Sequence, residues 1–322
     1  MTKTLPKVIC AFEVNENGSC KVAEISAEEL PQPESGYIWL HVDISDPETG
    51  SWLRRVVPEN VGRALTQAET RPRCLQMDGG LFLTLRGVNL NPGANSDDMV
   101  SIRLWRTDTM VISARIRKVW AVDQLRQEMS TGKGPASANL FLAELAFGLT
   151  KRIESVSLEL VERTDELEEH MLEPSPKIAS GIAAVRQSVI KLRRFVRPQN
   201  EALAELAGGY VLELEPACAN HLRETANRTT RIVEELDATS DRLQALQDHA
   251  DVLHASSLGR NSYILSVVAA IFLPLGFLTG LFGINVGGMP GTEASYGFWA
   301  VTIASVILGI VLFLVFRFLK WL

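Results

Sequence analysis

The sequence predicts an α/β N-terminal cytoplasmic domain, then long helices forming a coiled-coil-like stalk, then a two-helix transmembrane hairpin. Three observations predict it. The first is where the charge lies: only Glu293, Arg317 and Lys320 of the 70 charged residues fall within 261–322. The second is a set of short β-branched and aromatic runs, confined to the first 130 residues. The third is a long stretch from Pro216 that holds a helical apolar pattern without an internal breaker until the membrane segment.

The α/β part, placed at 1–135, offers strands over Val8–Val14, Tyr37–Val42, Leu81–Val88, Met99–Trp105 and Met110–Ile116, bounded by turn-forming residues such as Asn91-Pro92-Gly93. Ser45-Asp46-Pro47-Glu48 reads as a helix start, with Ser45 or Asp46 as the cap and acid in the first turn. Beyond Gly132–Pro135 nothing resembles a strand.

The stalk, placed at 136–260, reads as helices over Ala136–Leu172 and Lys177–Ala207, with Pro198 as a break or kink and Gly208-Gly209 as a stop. A third helix follows Pro216. Leu222, Thr229, Leu236, Leu243 and Ala250 recur every seven residues, with Val233, Leu246 and Leu253 beside them. At about 1.5 Å per residue this helix would reach about 100 Å if it continued into the membrane.

The hairpin, placed at 261–322, has a first span at about 262–282, an outer loop at 283–296 and a second span at about 297–317. Each span is long enough to cross a hydrocarbon core of about 30 Å. Arg260, Arg317 and Lys320 flank the spans, and the loop contains no Lys or Arg. The positive-inside rule then puts both termini in the cytoplasm. Met1–Pro6 lacks an apolar run, so no signal peptide is expected. Two helices cannot enclose an aqueous path, so a pore requires several copies of the chain.

Composition narrows the function. A net charge of −6 argues against a nucleic-acid partner. Cys10, Cys20, Cys74 and Cys218 show no CxxC pairing, and His41, His170, His221 and His249 have no metal-ligand spacing. Lys191, Arg193, Arg194 and Arg197 form a basic run expected to pair with nearby acids. No phosphate loop, dinucleotide fingerprint, nucleophile elbow or HExxH helix is present, so an enzyme is not expected, nor a cofactor.

Gly283-Ile284-Asn285 closes the first span. Alone it reads as a helix C-cap and turn. Repeated around a symmetry axis, its amide would form a ring of neutral oxygen acceptors suited to a hydrated divalent cation. Glu293 is the one ionised group of the outer loop and could concentrate cations, or simply solubilise it. Asp248 would form an acidic ring in an oligomer, or be a solvated face charge, and Asp251 and His254 are weaker candidates.

The run Phe272-Leu273-Pro274-Leu275-Gly276-Phe277-Leu278-Thr279-Gly280-Leu281-Phe282-Gly283-Ile284-Asn285, with the long preceding helix, the short loop and the terminal Lys320-Trp321-Leu322, resembles the CorA family of divalent metal transporters. Ile284 stands where the magnesium branch has methionine. Gly-Ile-Asn, Val286-Gly287-Gly288-Met289-Pro290 and the stretch from Arg73-Cys74 to Leu85-Arg86-Gly87-Val88-Asn89-Leu90-Asn91 resemble its zinc-transport (ZntB) branch. The resemblance implies a homopentameric funnel in the bacterial inner membrane, carrying zinc into the cytoplasm with proton coupling. It implies ion contacts at Asn285, Gly283 and Ile284. It also implies a pore stripe through Gly276, Leu273, Leu265, Ser262 and Gly259, with the two leucines as hydrophobic gates. A magnesium, cobalt or nickel channel, zinc efflux, and a membrane-tethered sensor or scaffold are the alternatives.

Overall fold

The computed structural model describes residues 7–68, 70–172, 176–209, 213–283 and 295–319. It divides into two compact units, Met1–Gln247 and Asp248–Leu322.

The first unit is built on a seven-stranded sheet. Its strands are β1 (Val8–Val14), β2 (Cys20–Val22), β3 (Tyr37–Asp43), β4 (Arg73–Met77), β5 (Gly80–Gly87), β6 (Val100–Arg106) and β7 (Met110–Arg115), in the spatial order β2-β1-β3-β7-β6-β5-β4. Only β3 and β7 run parallel, in register from Ile38↔Met110 to Asp43↔Arg115. The other neighbours are antiparallel. Because the sheet is covered on both faces, β3 reads as a continuous apolar run rather than an alternation. Tyr37 and Trp39 enter one core, and Ile38, Leu40 and Val42 the other.

Helices α1 (Pro47–Val56) and α2 (Glu59–Thr66) cover the second of these faces through Trp52, Leu53, Val61 and Leu65. Asp46, not Ser45, caps α1: its carboxylate accepts from the Glu48 and Thr49 amides at 3.3 and 3.2 Å. The opposite face packs on α3 (Trp120–Ser130), α4 (Ala138–Glu169), α5 (Pro176–Ala207) and the first part of α6 (Pro216–Gly283). The strands seen in the sequence are all present, within a residue or two at each end. Strands β2 and β4 and helices α2 and α3 are additional. Both strands lie at sheet edges, and neither helix has a capping side chain, so the local signals that announce such elements are absent.

Pro198 lies inside α5, which continues unbroken to Ala207. The left-handed Gly209 (φ +73°) follows the end of that helix. On α6, Leu222, Thr229, Leu236 and Leu243 are buried and Ala250 is half-buried; of the neighbouring positions Leu246 is buried and Leu253 half-buried, while Ile232 is buried in place of Val233. Their partners are in the same chain. Thr229 and Thr150 hydroxyls meet at 3.3 Å, and Ser157 donates to Glu235 Oε2 at 3.2 Å. Arg242 bridges Asp165 and Glu168 of α4, which hold its guanidinium charged. Arg193 and Arg197 of α5 both reach Asp237, and Lys191 reaches Asp97 and Asp98. Three of the four residues in the basic run thus meet acids, as the sequence suggests.

Deep in the sheet, Trp39 Nε1 donates to Ser113 Oγ at 2.8 Å, and His41 Nδ1 lies 2.7 Å from the same oxygen. His41 is 1% exposed and its Nε2 has no partner. Burial, reinforced by Arg115, pushes its pKa down to about 3. The folded state therefore holds His41 neutral while the unfolded chain takes up a proton below about pH 6.5. Its contribution is complete above that value and fades as pH falls toward 3. We expect the melting-temperature advantage of wild type over His41→Gln, followed in detergent from pH 7.5 to 4.5, to narrow with acidification. A pH-independent gap would contradict the assignment.

Candidate functional site

The second unit contains the end of α6 and a seventh helix, α7 (Gly297–Phe318). Both are apolar and long enough to cross a membrane, and almost none of their residues is fully buried within the chain. A spanning backbone must satisfy its own hydrogen bonds, which an α-helix does. Hydroxyls follow the same rule. Ser266 donates to the Ser262 carbonyl at 2.9 Å, Thr279 to the Leu275 carbonyl at 3.0 Å, and Thr302 to the Phe298 carbonyl at 2.9 Å.

Each helix has one shielded stripe at helical spacing. On α6 it is Val267, Ala270, Ile271, Pro274, Leu275 and Leu278. On α7 it is Val301, Thr302, Ser305, Leu308, Gly309, Leu312 and Phe316. The stripes meet where Gly309 lies opposite Leu275: a Cβ built on the glycine would sit 3.9 Å from Leu275 Cδ1. Small residues let helices approach in lipid. The Ser305-x₃-Gly309 spacing is a signal from which the sequence reading could have located this face.

The faces left open differ in kind. That of α7 is apolar and mainly bulky, with Phe298, Trp299, Ile303, Ile310 and Leu314 exposed beside Ala300 and Ala304. On α6, at 3.6 residues per turn, Ser262, Leu265, Leu273 and Gly276 fall together, opposite the stripe that meets α7. Leu265 is 70% and Leu273 76% exposed. Ala269 and Gly280 share that face, and added Cβ atoms at Gly276, Gly280 and Gly283 would meet nothing within 4 Å. Gly259 lies further round the helix. Gly283 is the last residue of α6.

Asp248, Asp251 and His254 are exposed residues of α6 at the start of this unit. Ile284, Asn285 and Glu293 lie outside the described residues. Among the described residues, no group of three or more His, Cys, Asp or Glu side chains is arranged to hold a metal ion. Cys74 and Cys218 are buried thiols and Cys10 is partly buried; burial raises all three, to about 12, 11 and 12 respectively. They pack as small apolar groups.

Comparison with known proteins agrees with this arrangement. The family model described as "CorA-like Mg2+ transporter protein" matches residues 34–318. The chain belongs to the CorA family. It is 35% identical over 300 residues to the zinc transport protein ZntB of Pectobacterium atrosepticum, covering 92% of this chain and 91% of that one. It is 36% identical over 307 residues to the divalent cation transporter CmaX of Pseudomonas aeruginosa, covering 93% and 91%. The structure of the full-length CmaX protein superposes with a TM-score of 0.79 at 32% identity, over 100% of both chains. This CorA-family chain is a divalent-cation transporter, and it sides with the ZntB branch that its Gly-Ile-Asn and 73–91 stretch suggest.

The Gly309 contact makes a graded prediction. Gly309→Ala meets Leu275 at ordinary van der Waals distance and should leave the melting temperature in detergent within a degree or two. Gly309→Phe must push the helices apart and should lower it by several degrees, the cost of an overpacked contact being about 1–3 kcal/mol. Equal melting of both variants would show that the helices do not meet here.

Proposed function

We propose that this chain is a homopentameric zinc uptake system of the bacterial inner membrane, with both termini in the cytoplasm and α6 lining the pore. One observation carries the reading: the uncovered face of α6 combines Ser262, Ala269, Gly276 and Gly280 with Leu265 and Leu273, whereas that of α7 is mainly bulky, with Ala300 and Ala304 as its small exposed residues and no exposed glycine or serine within the helix. A helix that faces only lipid needs no such contrast. A helix that faces an axis through five copies does. Rings of Leu265 and Leu273 would close the path by dewetting, and Gly276 above them and Ser262 below would leave it wide enough for water on either side. Asn285 would meet the ion at the mouth as a neutral oxygen, with Gly283 allowing close backbone approach and Ile284 between them. Zinc is supported by the transport named for the ZntB relatives.

The driving force suits uptake. A divalent cation entering a compartment held at about −100 mV gains about 4.6 kcal/mol, at ~2.3 per charge. No Asp, Glu, His, Lys or Arg lies between Asn261 and Thr292, so a carboxylate relay within the first span is not available. Proton coupling would then use pore water with Glu293 at the mouth, or Asp248 and His254 below the span.

Zinc flux into proteoliposomes of known orientation tests the reading. We expect Asn285→Ala to lower flux about tenfold or more, the worth of one lost ion contact. Leu273→Asn, which wets the gate, should raise passive flux. Light scattering of the detergent-solubilised protein should give five copies. A monomer, or zinc flux indifferent to both substitutions, would overturn the proposal. If Glu293→Gln and Asp248→Asn both leave the pH dependence of flux intact, those two sites play no part in coupling.

A further inference from the structure

Three arginines converge on one concavity of the α/β unit. The cleft, of about 730 Å³, lies between α1, α2 and β4, and its lining includes Arg54, Arg63, Arg73, Asn60, Gln67 and Asp78. That volume is within the range of small-ligand sites. The chain as a whole is acidic, at −6, whereas the described residues that line the cleft include three cations and one carboxylate.

The guanidinium groups are positioned by neutral partners. Arg54 Nε donates to Thr66 Oγ1 at 2.9 Å, and the Thr66 hydroxyl in turn donates to the Gly62 carbonyl at 2.8 Å. Arg73 lies over the Phe82 ring, 5.3 Å from its centroid. Among the described residues neither has a carboxylate partner. Arg63 pairs with Glu59, one turn back on its own helix, with both side chains exposed to water. Such a pair is weak and readily exchanged.

The backbone beneath the cleft is closely packed. A Cβ at Gly62 would sit 2.8 Å from Arg54 Cα, so only glycine lets α2 approach α1 closely enough to bring Arg54 and Arg63 to one rim. Behind the wall, the buried Arg103 donates through Nε and Nη2 to the Gln67 carbonyl at 3.0 and 2.7 Å, and through Nη2 to the Ala68 carbonyl at 3.0 Å. It fixes the segment that presents Gln67 and adds a fourth positive charge.

Guanidinium forks match phosphate oxygens in charge and geometry. Three of them on separate turns of the chain, with amides from Asn60 and Gln67 beside them, suit an anion with several oxygens spread over more than one centre. We propose that this cleft binds a small anion carrying two or more phosphate groups, as in pyrophosphate or a nucleoside triphosphate.

Calorimetric titration of the full-length protein in detergent, with EDTA present and at physiological ionic strength, tests the site. Pyrophosphate and ATP are the probes. We expect saturable binding of one ligand per chain. Arg54→Gln and Arg73→Gln should each weaken it at least about tenfold, the worth of a charged hydrogen bond. Asp78→Asn should tighten it, and Lys151→Gln, at an exposed position on α4, should leave it unchanged. ATP binding much tighter than pyrophosphate would identify a nucleotide; equal affinities would identify the phosphate chain alone. Arg73 is exposed, and an unchanged melting temperature would separate its effect from misfolding. Absence of saturable binding, equal weakening by Lys151→Gln, or binding to anionic vesicles but to neither soluble probe would overturn the proposal.

Discussion

A backbone in hydrocarbon has no water to turn to, and that constraint governs the second unit of this protein. It allows helices and little else. It explains why the hydroxyls of Ser266, Thr279, Thr302 and Ser305 are turned back onto carbonyls of their own helices. It also bears on Pro274, which lacks an N–H and so removes one bond from α6. Pro274 lies on the shielded stripe of that helix. The break in the ladder is therefore kept away from the face left open.

With backbone bonding satisfied internally, side chains alone distinguish one face from another. Between α6 and α7 a small residue, Gly309, meets a branched one, Leu275, because lipid provides no hydrophobic drive to bring helices together and close approach must supply the attraction. What remains outward on α7 is what lipid tolerates best. What remains outward on α6 includes Ser262, Ala269, Gly276 and Gly280, whose modest surface contributes little to partition into lipid.

The α/β unit works by the opposite logic. Water surrounds it, so apolar burial drives its assembly, and the sheet is covered on both sides. Polar groups inside it are held in specific pairs, as with Trp39, His41 and Ser113. The stripe on α6 that faces α4 is rich in threonine, and Thr225, Thr229 and Thr239 donate to carbonyls of their own helix. Ionic ties at the surface, Arg242 to Asp165 and Glu168 and Asp237 to Arg193 and Arg197, add register to a seam whose apolar content is low.

Much of this was legible from residues alone. Charge-free runs announce membrane helices because no other environment accepts them at that length, and the β-branched runs announce the central strands because both of their faces are buried. The heptad of α6 was legible too, as was its buried neighbour Leu246, although Ile232 takes the buried place expected of Val233. Edge strands β2 and β4 and the uncapped helices α2 and α3 were not, since what holds them is pairing and packing with segments distant in sequence. Spacing along a single helix grouped Ser262, Leu265, Leu273 and Gly276, but it could not say which side α7 would cover. That depends on how two surfaces fit, which is a property of the pair. The arginine cleft is the clearest case: Arg54, Arg63 and Arg73 are unremarkable along the chain, and become neighbours only because Gly62 lets two helices close and β4 joins the sheet edge beside them.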